Sequence, residues 1–183
     1  WLFGTGEGLI VLSHLGTSPW TVFAAGVGEQ TGLDVGTATI LVSFCLLLLW
    51  IPLGERPGLG TIANAIVIGL AIDVTVGLAS EPGALAFRWA LLLGGIALVG
   101  VGSGLYINAA LGRGPRDGLM TGIHLRTGFP IAGVRAGIEL TVLIAGVILG
   151  GLAGVGTVAF ALLVGPAVAL ALRVLPARRA PRT

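Results

Sequence analysis

The chain has 183 residues, of which 55% are hydrophobic and only 10% charged, and its mean hydropathy is +1.04. A soluble domain carries about 25% charged residues; here too few charges exist to cover a water-facing surface, so the medium has to be lipid. The formal charge of +2 excludes a nucleic-acid groove as its cause, because all ten basic residues are arginines at segment ends, where they report topology.

In chain order, the first apolar segment ends near His14 and carries Gly4, Gly6 and Gly8 around Glu7. It is shorter than the roughly 20 residues of a span. The stretch LGTSPWTVFAAGVGEQTG follows at 15–32, then apolar runs at 34–53 and 60–79. A long run at 86–110 precedes LGRGPRDGLMTGIHLRTG at 111–128, and two more runs occupy 131–150 and 155–174. Trp1 is preceded by no basic leader and the opening holds no small-residue cleavage site, so no signal peptide is expected. Cys45 is the only cysteine; an internal disulfide is impossible and its apolar run predicts a small core hydrophobe. No cluster has metal-ligand spacing and no cofactor loop is present, so neither a metal nor a cofactor is expected.

The chain is written twice. Leu15, Gly16, Pro19, Gly26 and Gly32 recur as Leu111, Gly112, Pro115, Gly122 and Gly128, an offset of 96 residues. The same offset carries Gly4, Gly6 and Gly8 onto Gly100, Gly102 and Gly104, and Gly58, Gly60 and Thr61 onto Gly154, Gly156 and Thr157. Gapless agreement through loops and helices predicts two tandem structural repeats, 1–80 and 81–183. From its partner, the first segment is expected to need about ten more residues before Trp1 to complete a span.

Each repeat then holds three spans, an odd number, which turns the second repeat upside down relative to the first. With the N-terminus inside, Arg56, Arg113, Arg116, Arg126, Arg135 and Arg173 fall inside, with Arg178, Arg179 and Arg182 in a basic cytoplasmic tail. Arg88 alone falls outside, near Glu29, Asp34 and Glu81. The expected fold is therefore an all-α integral membrane protein with about six transmembrane helices in two inverted three-span repeats. Each repeat adds a short Pro-initiated helix, 18–29 and 115–126, either re-entrant or interfacial. Both termini are expected in the cytoplasm.

Proline suits the first position of a helix, where its missing N–H has no helical partner, and Ser18 and Gly114 stand as N-caps. If the short helices dip into the bilayer, their positive ends face a shared central cavity. If they lie in the interface, they are connectors. The spread of Leu119, Met120 and Ile123 opposite Asp117, Thr121 and His124 fits the second placement. The apolar Trp20, Val22, Phe23 and Ala24 fit the first.

Candidate solute-binding residues are Ser18, Trp20, Thr21, Asn64, Asn108, Arg116, Asp117 and His124. Ionisable side chains at membrane depth are costly and mark function by default; Glu7, Asp73, Arg135 and Glu139 are the candidates for ion coupling or buried charge. Arg135 and Glu139 share a helix face and can pair, with Glu139 about 12 Å into its span. Each has a structural alternative: Asp117 as a dipole-matched cap, Arg116 as a lipid-phosphate contact, Arg135–Glu139 as a bridge between helices. The pairs Gly4–Gly8, Gly100–Gly104, Gly146–Gly150 and Gly150–Gly154 allow close helix approach. Gly-x-Gly-x-Gly inside a span lacks the strand–turn–helix setting of a nucleotide loop.

The LG-x-x-P motif, the segment GLGTIAN from Gly58 to Asn64 followed by Asp73, and GLYINAALGRGPRDGLM from Gly104 to Met120 resemble the YczE/YitT-like (DUF161-type) family of bacterial multi-pass membrane proteins. The resemblance covers nearly the whole chain, and GPRDG is its most specific part; the first half has Ser18, Pro19, Trp20 and Thr21 instead. It implies the bacterial inner membrane and about six spans, and assigns no activity.

Two functions compete. A small transporter or channel-like permease would take a small polar or anionic solute between the repeats. An accessory or regulatory subunit would pack its glycine-rich spans against a partner and transport nothing. An enzyme is not expected, since Asp117 with His124 is the sole acid–base pairing in view. The expected partners are membrane lipid, a small solute, and a second copy or another membrane protein; nucleic acid is not among them.

Overall fold

The computed structural model describes residues 1–79 and 82–175, and these are all helix and loop. Glu81, Arg178, Arg179 and Arg182, expected to mark the two membrane faces, lie outside the described residues. The helices are α1 (Leu2–Leu12), α2 (Pro19–Thr31), α3 (Val35–Leu53), α4 (Leu59–Leu78), α5 (Leu85–Ala109), α6 (Pro115–Thr127), α7 (Ile131–Ile148) and α8 (Val155–Val174). Five of them, α3, α4, α5, α7 and α8, are long and apolar enough to cross a membrane. Helix α1 has 11 residues, about 16 Å at 1.5 Å per residue, and cannot cross a core of about 30 Å by itself.

The offset of 96 reappears in the boundaries. Helices α2 and α6 both begin at proline and end at threonine, Pro19–Thr31 and Pro115–Thr127, and α4 and α8 match at both ends. Each short helix stops at a left-handed glycine, Gly32 at φ 75° and Gly128 at φ 72°. Each is preceded by another, Gly16 at φ 102° and Gly112 at φ 124°. A side chain at either of these would be strained by the backbone, and would also meet Gly154 N at 2.5 Å or Thr61 Oγ1 at 2.8 Å.

Packing follows the same pairing. Helices α1 and α5 cross at the centre, α1 also packs on α4 and α5 on α8, while α2 lies on α7 and α3 on α6. Small residues set these approaches. Gly4 and Gly8 meet Ala71 and Thr75 of α4; Gly100 and Gly104 meet Ala167 and Ala171 of α8. Gly6 meets the Gly95 carbonyl and Val99 of α5, and Gly102 meets the Phe3 backbone of α1. Gly150 plays no such part: it turns the chain after α7 at φ 101°, and Gly154 caps α8. Two backbone bonds join the halves reciprocally. Gly156 N donates to the Leu15 carbonyl at 2.6 Å, and Gly60 N to the Leu111 carbonyl at 2.9 Å.

The symmetry fails at one place. Helices α3 and α4 pack together, whereas no comparable contact joins α7 and α8. Helix α7 is buried only at Val134 and Gly146. An apolar groove of about 890 Å³ opens between α3 and α7 over Trp20 and Leu119. Cys45 lines it and is exposed, not in the core. Lipid accepts an apolar surface as readily as a core does, so hydrophobicity alone does not tell the inside of such a bundle from its outside.

The α1–α5 seam makes a direct test. A Cβ on Gly6 would lie 2.6 Å from the Gly95 carbonyl oxygen, between two backbones that cannot yield. Gly6→Ala is expected to cost about 1–3 kcal/mol and to lower the thermal unfolding midpoint in detergent. Gly94→Ala, with no neighbour within 4 Å, is expected to be neutral or stabilising by about 0.5–1 kcal/mol.

Candidate functional site

The two short helices start at one place. Ser18, Pro19 and Trp20 of the first and Gly114, Pro115, Arg116 and Asp117 of the second line a single cavity of about 160 Å³. Its other walls come from α1, α3, α4, α5, α7 and α8, so both halves of the chain build it. Residues 96 apart line it together: Glu7 and Ser103, Thr39 and Arg135, Ser43 and Glu139, Asn64 and Phe160.

Glu7 is the deepest charge, 1% exposed in the middle of α1. An isolated carboxylate is expensive to bury, and the first turn of α2 offsets part of that cost. Thr21 donates its hydroxyl to Oε2 at 2.8 Å and Ser18 donates to the same oxygen at 3.1 Å. The Ser18 oxygen also accepts the Thr21 N–H, a weak cap at 3.4 Å. Oε1 has no partner.

Trp20 and Arg116 hold equivalent positions in the two halves and meet. The Arg116 guanidinium lies over the Trp20 ring, 5.3 Å from its centroid, a cation–π contact. The Trp20 indole N–H is buried without a hydrogen-bond partner. Arg116 also sits in the field of Glu7, Asp117 and Glu139, yet among the described residues it forms no ion pair.

The second short helix is tied down from the opposite chemical side. Tyr106 of α5 donates its hydroxyl to Asp117 in the first turn of α6. Trp50 of α3 donates its indole N–H to the Pro115 carbonyl at 3.0 Å, and Gly118 leaves room for that ring. Arg135 and Glu139 of α7 pair at 2.9 Å, as their spacing predicts. Glu7, Ser18 and Thr21 are buried, whereas Asp117 and Arg135 are exposed, so the polar lining runs from a closed end to an open one.

Of the expected residues, Glu7, Ser18, Trp20, Asn64, Arg116, Asp117, Arg135 and Glu139 line this cavity. Thr21 supports it through Glu7. Three sit elsewhere. Asn108 donates to the Leu175 carbonyl at 2.6 Å beyond the end of α8. His124 donates its Nδ1–H to the Phe129 carbonyl at 2.6 Å and closes the turn after α6. Asp73 accepts from Gly36 N at 2.6 Å and Thr37 Oγ1 at 3.0 Å, capping α3 from outside because its own N-cap, Asp34, makes no cap bond. Tyr106, Thr39, Ser43 and Ser103 belong to the lining and were not among the expected site residues. The repeat offset is the signal that finds the last three, since each is the repeat equivalent of a charged residue.

The Glu7 anchor predicts coupling. Thr21→Val removes a hydroxyl from a buried carboxylate and is expected to cost about 1–3 kcal/mol. In a Glu7→Gln background the same change is expected to cost less, with an interaction energy of about 0.5–3 kcal/mol. A double-mutant cycle on detergent unfolding checks this, and additive effects would show that the Thr21–Glu7 bond carries no weight.

Comparison with known proteins places the chain. Residues 1–173 match the model of a family described as "Family of unknown function (DUF6198)". An uncharacterized protein of Haemophilus influenzae is 45% identical over 174 residues, 95% of this chain and 80% of that protein. The uncharacterized membrane protein YczE of Bacillus subtilis is 36% identical over 157 residues, 82% of this chain and 71% of its own length. The uncharacterized protein YyaS of the same organism is 27% identical over 160 residues. No solved structure matches. The resemblance to YczE read from GPRDG and the flanking motifs holds: with its several apolar helices this is a membrane protein, and it belongs to the DUF6198 family.

Proposed function

We propose that this protein is a small permease of the bacterial inner membrane, carrying a small polar solute through a site between two inverted repeats. One observation carries the reading. Two helices drawn from the two halves begin at the same cavity, and that cavity holds a buried acid, Glu7, and a guanidinium, Arg116, with no ion pair between them. A structural charge pair would be closed. Helix starts in matching positions of two halves, meeting at a polar site, are the pattern of secondary transporters.

In this reading α2 and α6 are re-entrant, and α1 belongs to the sixth span. The N- and C-termini are cytoplasmic, because that places Arg56, Arg113, Arg126 and Arg173 inside. The open end of the cavity, at Asp117 and Arg135, then faces the cytoplasm. The apolar groove beside α7 favours a second reading, an accessory subunit whose partner fills it.

Flux into liposomes separates the two. Purified protein is expected to move at least one class of small polar solute. Arg116→Ala should cut that flux at least tenfold, while Arg126→Ala, on the exposed last turn of α6, should leave it unchanged. Monodisperse protein that moves no solute class would favour the subunit reading.

Orientation has its own measurement. In a Cys45→Ala background, Arg56→Cys is expected to react with impermeant thiol reagents only from the cytoplasmic side and Leu33→Cys only from outside. The reverse pattern would overturn the assigned topology.

A further inference from the structure

We infer that the cavity binds a small zwitterion, a primary ammonium and a carboxylate on one short carbon chain, with the ammonium at Glu7 and the carboxylate at Arg116. The inference rests on the permease reading in taking this cavity as the solute site, and it names the solute class.

Of the five charged groups that line the cavity, three are already engaged. Glu139 is paired with Arg135 at 2.9 Å, and Asp117 accepts the Tyr106 hydroxyl. Glu7 and Arg116 are left. Glu7 Oε2 accepts two hydroxyls, but Oε1 is buried with nothing to accept from. Arg116 stacks on Trp20, and among the described residues its N–H donors make no hydrogen bond. The Trp20 indole N–H is a further buried donor without an acceptor. Glu7 is 1% and Trp20 5% exposed, and both line the cavity. Buried polar groups without partners are rare in native structures. Here an acceptor and two kinds of donor are orphaned around one space.

The three simple ligand classes fill those vacancies differently. A monocarboxylate would satisfy Arg116 and the α6 N-terminus but leave Glu7 Oε1 unpaired. It would also bring a negative charge to a lining with three carboxylates, Glu7, Asp117 and Glu139, against two guanidiniums, Arg116 and Arg135. A simple amine would satisfy Glu7 and leave the guanidinium and the indole empty. A zwitterion does both and adds no net charge. Its carboxylate can take two parallel N–H bonds from the Arg116 fork, and its ammonium can donate to Oε1. The carbon chain between them would lie on the apolar part of the wall, Ile68, Val99, Phe160 and Val164. Size points the same way: at about 160 Å³ the cavity is smaller than the usual pocket for a drug-sized ligand, which suits a small amino acid.

The test uses a molecule and its two halves. Binding of alanine, propionate and ethylamine to the purified protein in detergent is measured by titration calorimetry and by the shift in thermal midpoint. Alanine is expected to bind at least tenfold tighter than either half. Glu7→Gln should abolish the preference for alanine over propionate, and Arg116→Gln the preference over ethylamine. The inference is overturned if either half binds as tightly as alanine to the unmodified protein, which needs no variant to fold. It is also overturned if no small zwitterion binds, or if Glu7→Gln, folded, keeps alanine's full advantage. The same panel in liposomes tells this failure from that of the permease reading. Alanine binding without flux of any solute keeps the zwitterion site and ends the permease; flux of propionate or ethylamine but not alanine does the reverse.

Discussion

Two helices that begin at buried residues, Ser18 and Gly114, impose one constraint on everything around them: each buried backbone group beside their starts has to find a partner within the protein. Lipid offers none. The loops before α2 and α6 meet this constraint across the repeat boundary. The Leu15 carbonyl is taken by Gly156 N and the Leu111 carbonyl by Gly60 N. Arg113 and Pro115 pass their carbonyls to the Thr61 hydroxyl and the Trp50 indole. The start of each short helix is therefore held by helices of the other half.

The two halves share a backbone plan and differ in chemistry, and the difference is concentrated at the cavity. Glu7 of α1 accepts hydroxyls from the first turn of α2; on α5, one turn past Ser103, the equivalent of Glu7, Tyr106 donates to Asp117 in the first turn of α6. Thr39 and Ser43 hold on α3 the positions that Arg135 and Glu139 hold on α7. A symmetric lining would repeat one sign of charge on both sides. This one puts an unspent acid in the first half and an unspent guanidinium in the second, so the site has a direction.

The helix boundaries were legible because a repeat read along the chain fixes loops as well as helices. Pro19 and Pro115, Gly32 and Gly128, and the Thr61 and Thr157 caps fall where the offset puts them. Glu7 and Arg116 were legible as charges in apolar surroundings. Partners were not. Asp73, Asn108 and His124 look like site residues by type, but each is consumed by a nearby backbone group. Such a bond depends on which loop ends beside which helix, and spacing does not carry that. Cys45 misled for a different reason: in lipid, an apolar run is equally at home facing in or out.

The place where the symmetry breaks completes the picture. Helix α4 packs on α3, while α8 leaves α7 without a neighbour on that side. Arg135 and Glu139, paired with each other, thus sit on the helix with the fewest buried residues, and Arg116 and Asp117 sit on a short helix that touches α7 only lightly. Glu7 sits at the most supported place, the α1–α5 crossing, where glycines bring the backbones into contact. One wall of the cavity is closely packed and carries the buried acid; the other has fewer buried residues and carries the exposed charges. An element held by few buried contacts is where low-energy opening concentrates.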